Sequence, residues 1–199
     1  MPPLQESPFL VDDCLEYHPA FLGQKESGHL LDRFWSELEW EQEDITIFGR
    51  TVRQPRLISW YGDPGARYAY SGLVLEPRSW HPALLKLKRQ IESFTRHRFN
   101  SVLANAYRDG SDSMGWHSDD EKELGPKPFI ASLSLGEERR FLLRQKGRKS
   151  SGLLLEHGSL LLMKGDCQQR FQHALPKTRR KIGLRINLTF REIRYQAPV

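Results

Sequence analysis

The 199-residue sequence is poor in cysteine and has no long apolar run. Cys14 and Cys167 are too few for a disulfide framework and lack the spacing of a zinc site. No apolar stretch approaches the ~20 residues that cross a bilayer, and the opening MPPLQESPFLVDD lacks the basic and apolar regions of a secretion signal. We therefore expect no secretion and no membrane association, but a cytoplasmic protein in a bacterium or a nuclear one in a eukaryote.

Internal repeats, low-complexity tracts and linkers are also lacking, so residues 1–199 are expected to form a single domain. No feature of the sequence requires an oligomer, so a monomer is expected. The net charge of +5 favours an anionic partner, with nucleic acid as the leading candidate. Two basic clusters could contact phosphates, although a solvated charged face is the alternative. They are Arg139, Arg140, Arg144, Lys146, Arg148 and Lys149, and then Lys177, Arg179, Arg180 and Lys181.

The apolar pattern predicts helices in the first half of the chain and strands in the second. Helices are expected over His18–Trp40 and Ser79–Arg98, and in the second of these apolar residues recur at three- and four-residue steps. The short extended runs that follow are SVLANAY, FIASLSLG, RRFLLRQ, GLLLE, SLLLMKG, QRFQHAL and KIGLRINLTFRE. This pattern predicts an α+β, mainly β fold, a jelly roll over about residues 100–193 with supporting helices on one sheet.

The last of these runs alternates strictly. Its even positions from Ile182 to Phe190 are apolar, and its odd positions are polar or glycine. Because strand side chains alternate between faces, one face should pack in a core while the other presents polar groups together. Those polar residues are Arg185, Asn187, Thr189 and Arg191. A solvated outer face is the competing interpretation.

A candidate metal site lies in MGWHSDDE. His117 and Asp119 are two residues apart, so on an extended segment both side chains project to the same side. A second histidine would complete the two-histidine, one-carboxylate face that holds Fe(II) on three coordination positions and leaves the other three open for substrate and dioxygen. His173, at the end of an extended run, is the favoured third ligand, and His157, in LEHGSLLLM, is the alternative.

Such an iron site commonly needs an electron-donating cosubstrate. An organic acid that chelates the metal through a 2-oxo carboxylate leaves its second carboxylate to be bound, and a guanidinium fork suits that role. Arg185 is the candidate. Asn105 and Tyr107, also two residues apart, would supply further hydrogen bonds from a neighbouring strand.

Four segments resemble the AlkB family of Fe(II)- and 2-oxoglutarate-dependent nucleic-acid dioxygenases, most closely the form that repairs duplex DNA. They are NAYRDGSDSMGWHSDDE, LEHGSLLLM, FQHALPK and RINLTFR. The resemblance implies that His117, Asp119 and His173 bind iron. It assigns a further set to 2-oxoglutarate or its surroundings: Asn105, Tyr107, Arg185, Asn187, Thr189 and Arg191. The division of roles between Arg185, facing the distal carboxylate, and Arg191, which could instead shape the base pocket, stays open.

The segment over about residues 45–78 resembles the nucleotide-recognition lid of the same family. Aromatic and arginine side chains here suit stacking on bases and binding of phosphates, although Trp60 and Tyr61 could simply pack against the core. Phe48 resembles the finger inserted into the base stack. The remaining candidates for substrate contacts are Gly49, Arg50, Tyr68, Ala69, Tyr70, Asp120 and Glu121. Asp120 could equally cap a turn or orient a ligand.

The function implied by the resemblance is DNA repair by oxidative demethylation of bases such as 1-methyladenine and 3-methylcytosine. The reaction would use Fe(II), O2 and 2-oxoglutarate and release formaldehyde, succinate and CO2. Single-stranded DNA and RNA stay open as substrates beside duplex DNA. The alternatives are an RNA- or protein-directed hydroxylase and a non-catalytic nucleic-acid-binding module.

Overall fold

The computed structural model describes residues 9–47, 50–70, 73–145 and 148–194. The strands, in chain order, are β1 Phe9–Asp12, β2 Leu15–His18, β3 Asp44–Ile47, β4 Arg50–Arg53, β5 Leu57–Gly62, β6 Tyr68–Tyr70, β7 Leu73–Leu75, β8 Ser101–Tyr107, β9 Met114–His117, β10 Ile130–Gly136, β11 Arg139–Arg144, β12 Ser151–Leu155, β13 Leu160–Met163, β14 Gln172–Leu175 and β15 Arg185–Arg191. The helices are α1 Gln24–Glu37, α2 Pro82–Thr95 and α3 Cys167–Arg170.

Two antiparallel sheets form the body of the protein. The large sheet has the order β1-β2-β13-β10-β15-β8-β5, and the small sheet has the order β12-β11-β14-β9. A buried apolar cluster joins them, since Ile130 and Leu161 of the large sheet pack with Phe141 and Leu143 of the small one. The expected mainly β jelly roll is confirmed.

Both long helices pack against the large sheet, as the apolar pattern predicts. Leu84, Leu87 and Ile91 of α2 are buried in one core with Phe34 of α1 and Phe190 of β15. None of the helices among the described residues is long and apolar enough to span a membrane.

The ends of α2 lie inside the predicted range. The side chain of His81 accepts a hydrogen bond from the backbone N–H of Ala83, and Pro82 occupies the first helical turn, where its missing N–H costs nothing. The helix ends where Arg96 adopts the left-handed conformation, with φ 58°. Local capping therefore makes the helix shorter than the apolar pattern alone suggests.

The predicted start of the first helix at His18 is wrong. Residues Leu15–His18 form β2, which pairs with Leu160–Met163 of β13, so their backbone groups are satisfied across the large sheet. Tyr17 is 4% exposed there, and its hydroxyl accepts a hydrogen bond from the N–H of Glu156. Burial against distant strands outweighs the helical pattern at this end, and α1 begins only after Gly23.

The alternation predicted for the last strand is confirmed over Arg185–Arg191, although the strand begins at Arg185 and not at Ile182 as predicted. Ile186, Leu188 and Phe190 are fully buried in the core beneath the helices. Arg185 and Arg191, on the other face, are 2% and 4% exposed, so this face is not solvated. It points into the space between the two sheets.

The segment predicted as a lid divides into two parts. Its hairpins β3–β4 and β6–β7 form separate two-stranded sheets, but β5 between them is one of the two edge strands of the large sheet and pairs with β8. Trp60 and Tyr61 of β5 are 2% and 4% exposed, so these two aromatics pack in the core.

The described candidates for substrate contacts in this segment lie on the hairpins. Arg50 lies on β4, and Tyr68, Ala69 and Tyr70 form β6. Phe48 and Gly49 lie outside the described residues.

One member of the first basic cluster is buried and does not face solvent. Arg139 is 3% exposed and donates hydrogen bonds to the backbone carbonyls of Asp109, Asp112 and Pro176. It fastens the loop after β8 to the end of β14, so the expectation that it contacts phosphate is wrong. Arg140, next to it on β11, is exposed.

We predict that Phe190→Ala lowers the free energy of unfolding by about 3–5 kcal/mol, because it leaves a cavity between α2 and the large sheet. Denaturant unfolding of the purified protein measures the change. Leu154→Ala is the matched control, since Leu154 is 45% exposed, and its effect should stay within about 0.5 kcal/mol. Equal effects of the two substitutions would contradict the assigned core.

Candidate active site

The pairing of β9 with β14 brings two histidines face to face. His117 is directly opposite His173 in this antiparallel pair, and their ring centroids are 4.1 Å apart. Asp119 follows β9 by two residues. One ligand atom from each of the three side chains lies within 4.8 Å of the others, so the predicted ligands are brought together.

Both histidine rings are neutral where they meet the carboxylate of Asp119. The Nδ1 of His117 lies 2.9 Å from the carbonyl of Gly115, which can only accept, so Nδ1 carries the proton and Nε2 keeps its lone pair. Burial lowers the pKa of His117, although Asp119 opposes the shift. Burial, and then the neighbouring His117, lowers the pKa of His173 to about 3.

Asp119 is a buried and ionised carboxylate. Its Oδ1 accepts a hydrogen bond from Nη2 of Arg191 at 2.7 Å, and both side chains are 5% exposed. Burial by itself would raise the pKa of Asp119, but the charge and hydrogen bond of Arg191, together with the two neighbouring histidines, keep that pKa below its ordinary value. Two neutral imidazoles and one carboxylate on a single face are the donor set that suits Fe(II), so the residues present fit the predicted metal.

A cavity between the two sheets contains this cluster, with about 620 Å³ of empty space including its open mouth. Every residue that the sequence assigns to the cosubstrate lines it. These residues are Asn105, Tyr107, Arg185, Asn187, Thr189 and Arg191.

Arg185 fits the carboxylate of an organic acid. Its Nη2 donates to Ser134 Oγ at 3.0 Å, its Nε has no hydrogen-bond partner, and its guanidinium lies 5.3 Å from the ring centroid of Tyr107. Among the described residues no carboxylate lies within 4.0 Å of Arg185. Burial lowers the pKa of Arg185 to about 10, so it is still charged at neutral pH. A buried cation with unused donor capacity suits a bidentate anionic ligand.

Asn187 and Thr189 are held mainly by the fold itself. Asn187 Nδ2 donates to Ser132 Oγ and to the carbonyl of Leu133, and Asn187 Oδ1 accepts from the hydroxyl of Thr189. Their roles toward a cosubstrate stay predictions, because these hydrogen bonds already occupy the amide of Asn187.

Two buried residues beside the predicted site had no recognisable signal in the sequence. Arg56, 3% exposed, lines the cavity and donates from Nε to Asn105 Oδ1 at 2.9 Å, which turns the amide nitrogen of Asn105 away from it. Gln168, 4% exposed, accepts a hydrogen bond from the backbone N–H of Asp119 at 2.9 Å.

Three residues that the sequence proposed for the site lie outside the cavity lining. His157, the alternative third ligand, accepts a hydrogen bond at Nδ1 from the N–H of Gly136 and lies in a turn, so it is not a ligand here. Asp120 is exposed and Glu121 is half-buried, and neither belongs to the described lining of the cavity.

Comparison with known proteins gives concordant matches. Residues 14–191 match the model of the 2OG-Fe(II) oxygenase superfamily. The chain is 42% identical to alpha-ketoglutarate-dependent dioxygenase alkB homolog 3 of Bos taurus, over 88% of this chain and 64% of that protein. It is 39% identical to DNA oxidative demethylase ALKBH2 of Mus musculus, over 81% of this chain and 74% of that protein. The chain thus spans slightly less than two thirds of alkB homolog 3.

The fold also matches a solved structure. The structure of OsALKBH1 superposes with a TM-score of 0.70 at 18% identity, over 93% of this chain and 99% of that chain. This likeness supports the jelly-roll architecture alone.

We predict that the metal-free protein loses stability as the pH falls below the ordinary histidine range. Because the folded-state pKa of His173 is about 3 and the unfolded value is about 6.5, only the unfolded chain gains a proton on this residue between those pH values. From about pH 7.5 to about pH 5.5 this costs on the order of 1 kcal/mol of unfolding free energy. Urea unfolding at the two pH values measures the difference.

His173→Gln should remove that part of the pH dependence. His29→Gln, at an exposed position on α1, is the matched control and should keep it. A wild-type pH dependence in His173→Gln would show that the pKa of His173 is not depressed.

Proposed function

Since the chain belongs to the 2OG-Fe(II) oxygenase superfamily and, within it, to the AlkB family, we propose that it demethylates N-alkylated bases of DNA oxidatively. The cofactors of this family are Fe(II), O2 and 2-oxoglutarate. The proposed substrates are bases of the 1-methyladenine and 3-methylcytosine type, and the products are the restored base, formaldehyde, succinate and CO2. The observation that carries the proposal is the joint placement of the His117, Asp119 and His173 cluster and Arg185 in one cavity.

Bound iron with 2-oxoglutarate and O2 supplies the oxidising chemistry, in which one oxygen atom enters a C–H bond of the N-methyl group and the other enters succinate. The protein supplies position and charge. His117, Asp119 and His173 would hold the metal on one face, while Arg191 keeps the carboxylate of Asp119 in place. Arg185 would receive the distal carboxylate of 2-oxoglutarate, with Tyr107 packed against its guanidinium.

The proposal of DNA as substrate has two supports. One relative at 39% identity is named a DNA oxidative demethylase. The hairpins β3–β4 and β6–β7 are separate from the large sheet, and four of the residues predicted to contact the nucleic acid lie on them: Arg50, Tyr68, Ala69 and Tyr70. A methylated base pairs poorly, so moving it out of a duplex costs less than the few kcal/mol of an intact pair.

We predict that Arg185→Met weakens 2-oxoglutarate binding by about 10- to 150-fold, the range that corresponds to losing a charged hydrogen bond worth about 1.5–3 kcal/mol. Calorimetric titration of the Mn(II)-loaded protein with 2-oxoglutarate measures this. Arg185→Lys should be intermediate, because it keeps the charge and loses the fork. Arg180→Met, at an exposed arginine, is the control. Unchanged affinity in Arg185→Met would exclude Arg185 as the carboxylate partner.

We predict repair of 1-methyladenine and 3-methylcytosine in oligonucleotides when the protein is reconstituted with Fe(II) and incubated in air with 2-oxoglutarate. Asp119→Ala and His173→Ala should reduce repair to background, since each removes one of three metal ligands. Restored base and released formaldehyde are measured on single- and double-stranded substrates. His29→Ala, on the outer helix α1, should repair normally.

Two other outcomes are informative. Succinate formation without base repair would retain the dioxygenase and refute the DNA substrate. Repair of RNA in preference to DNA would make RNA the substrate of the same demethylation reaction.

A further inference from the structure

Two hydrogen bonds connect the ligand-bearing segments without involving the ligand side chains. Ser118 Oγ donates to the carbonyl of Phe171 at 3.0 Å, and the backbone N–H of Asp119 donates to Gln168 Oε1 at 2.9 Å. They join the end of β9 to the segment that leads from α3 into β14. We refer to this pair of hydrogen bonds as the Ser118–Gln168 clamp.

Both polar atoms of the Gln168 side-chain amide have a partner. Its oxygen must face Asp119, because a backbone N–H can only donate. Its nitrogen, Nε2, then lies 3.5 Å from the sulfur of Met163, which itself lines the cavity. Gln168 is 4% exposed and sits on the single turn of α3, five residues before His173.

Asp119 needs such a contact because the sheet does not hold it. The ladder between β9 and β14 fixes His117 opposite His173, but β9 ends at His117 and the register shifts between His173 and Leu175. Arg191 holds one carboxylate oxygen of Asp119 and leaves its backbone position undetermined. The amide of Gln168 supplies that missing restraint.

We propose that Gln168, supported by Ser118, is a positioning residue that fixes Asp119 for metal binding before the metal arrives. Gln168 acts through the backbone of Asp119 and is not itself a ligand. The inference rests on the proposed metal site and adds a residue that determines how tightly the site binds. Removal of such supporting hydrogen bonds commonly weakens metal affinity by about 10- to 100-fold.

The test measures Co(II) binding to the folded, metal-free protein by the visible absorption of the bound ion, so that no turnover is involved. Gln168→Met keeps the length and burial of the side chain but removes the acceptor, and we expect Co(II) affinity to fall by about 10- to 100-fold. Gln168→Glu keeps an acceptor oxygen and should retain most of the wild-type affinity. The matched control is Gln169→Met, since Gln169 is exposed and its side chain donates a hydrogen bond to the carbonyl of Pro126, away from Asp119.

A purely structural role predicts a different result. In that case Gln168→Met would lower the thermal unfolding temperature while the folded protein bound Co(II) like the wild type, and the proposal would be overturned. Equal affinity in all three glutamine variants would overturn it as well. If Gln168→Met does not fold, Ser118→Ala, which removes the other half of the clamp, must bind Co(II) more weakly than Gln168→Glu for the proposal to stand.

Asp119→Ala separates this inference from the proposed metal site. If the wild type and Asp119→Ala bind Co(II) alike, the metal site itself is misassigned. If Asp119→Ala loses binding and Gln168→Met does not, only the positioning role of Gln168 is wrong.

Discussion

The strict alternation of side chains along β15 is the constraint on which the rest of the structure depends. One face of this strand anchors the helices through Ile186, Leu188 and Phe190, and the other places Arg185 and Arg191 in the cavity. Because β15 lies between β10 and β8 in the large sheet, its register is fixed on both sides. A shift by one residue would exchange the two faces and would destroy the core and the site together.

Electrostatics give the cavity a clear preference for anions. Three buried guanidinium groups line it, those of Arg56, Arg185 and Arg191, and Asp119 is the carboxylate among its described lining residues. The histidines contribute no charge at neutral pH, since burial lowers the pKa of both. The charges of Asp119 and Arg191 neutralise each other, so the positive charges of Arg56 and Arg185 are available for an organic acid with two carboxylates. The neutral imidazoles can bind a metal without first losing protons.

The sequence predicted the features that local patterns encode. Alternation and turn residues located the strands after residue 100 except β9, and the two-residue step from His117 to Asp119 correctly predicted that both side chains reach one point. Contacts between distant segments were not predictable in this way. Arg56 and Gln168 are each 49 residues from their partners Asn105 and Asp119, and no periodicity links such positions. The same holds for β2, whose strand conformation depends on pairing with β13 more than a hundred residues later.

The position of β9 at the edge of the small sheet has a consequence for how the site opens. Among the described strands, β9 has a neighbour on one side only, β14, and it is four residues long. A short edge strand separates from its sheet at a lower free energy than the core unfolds, so His117 can leave the site while the rest of the domain stays folded. Release of a bound metal would then require only this local opening, not unfolding of the whole domain.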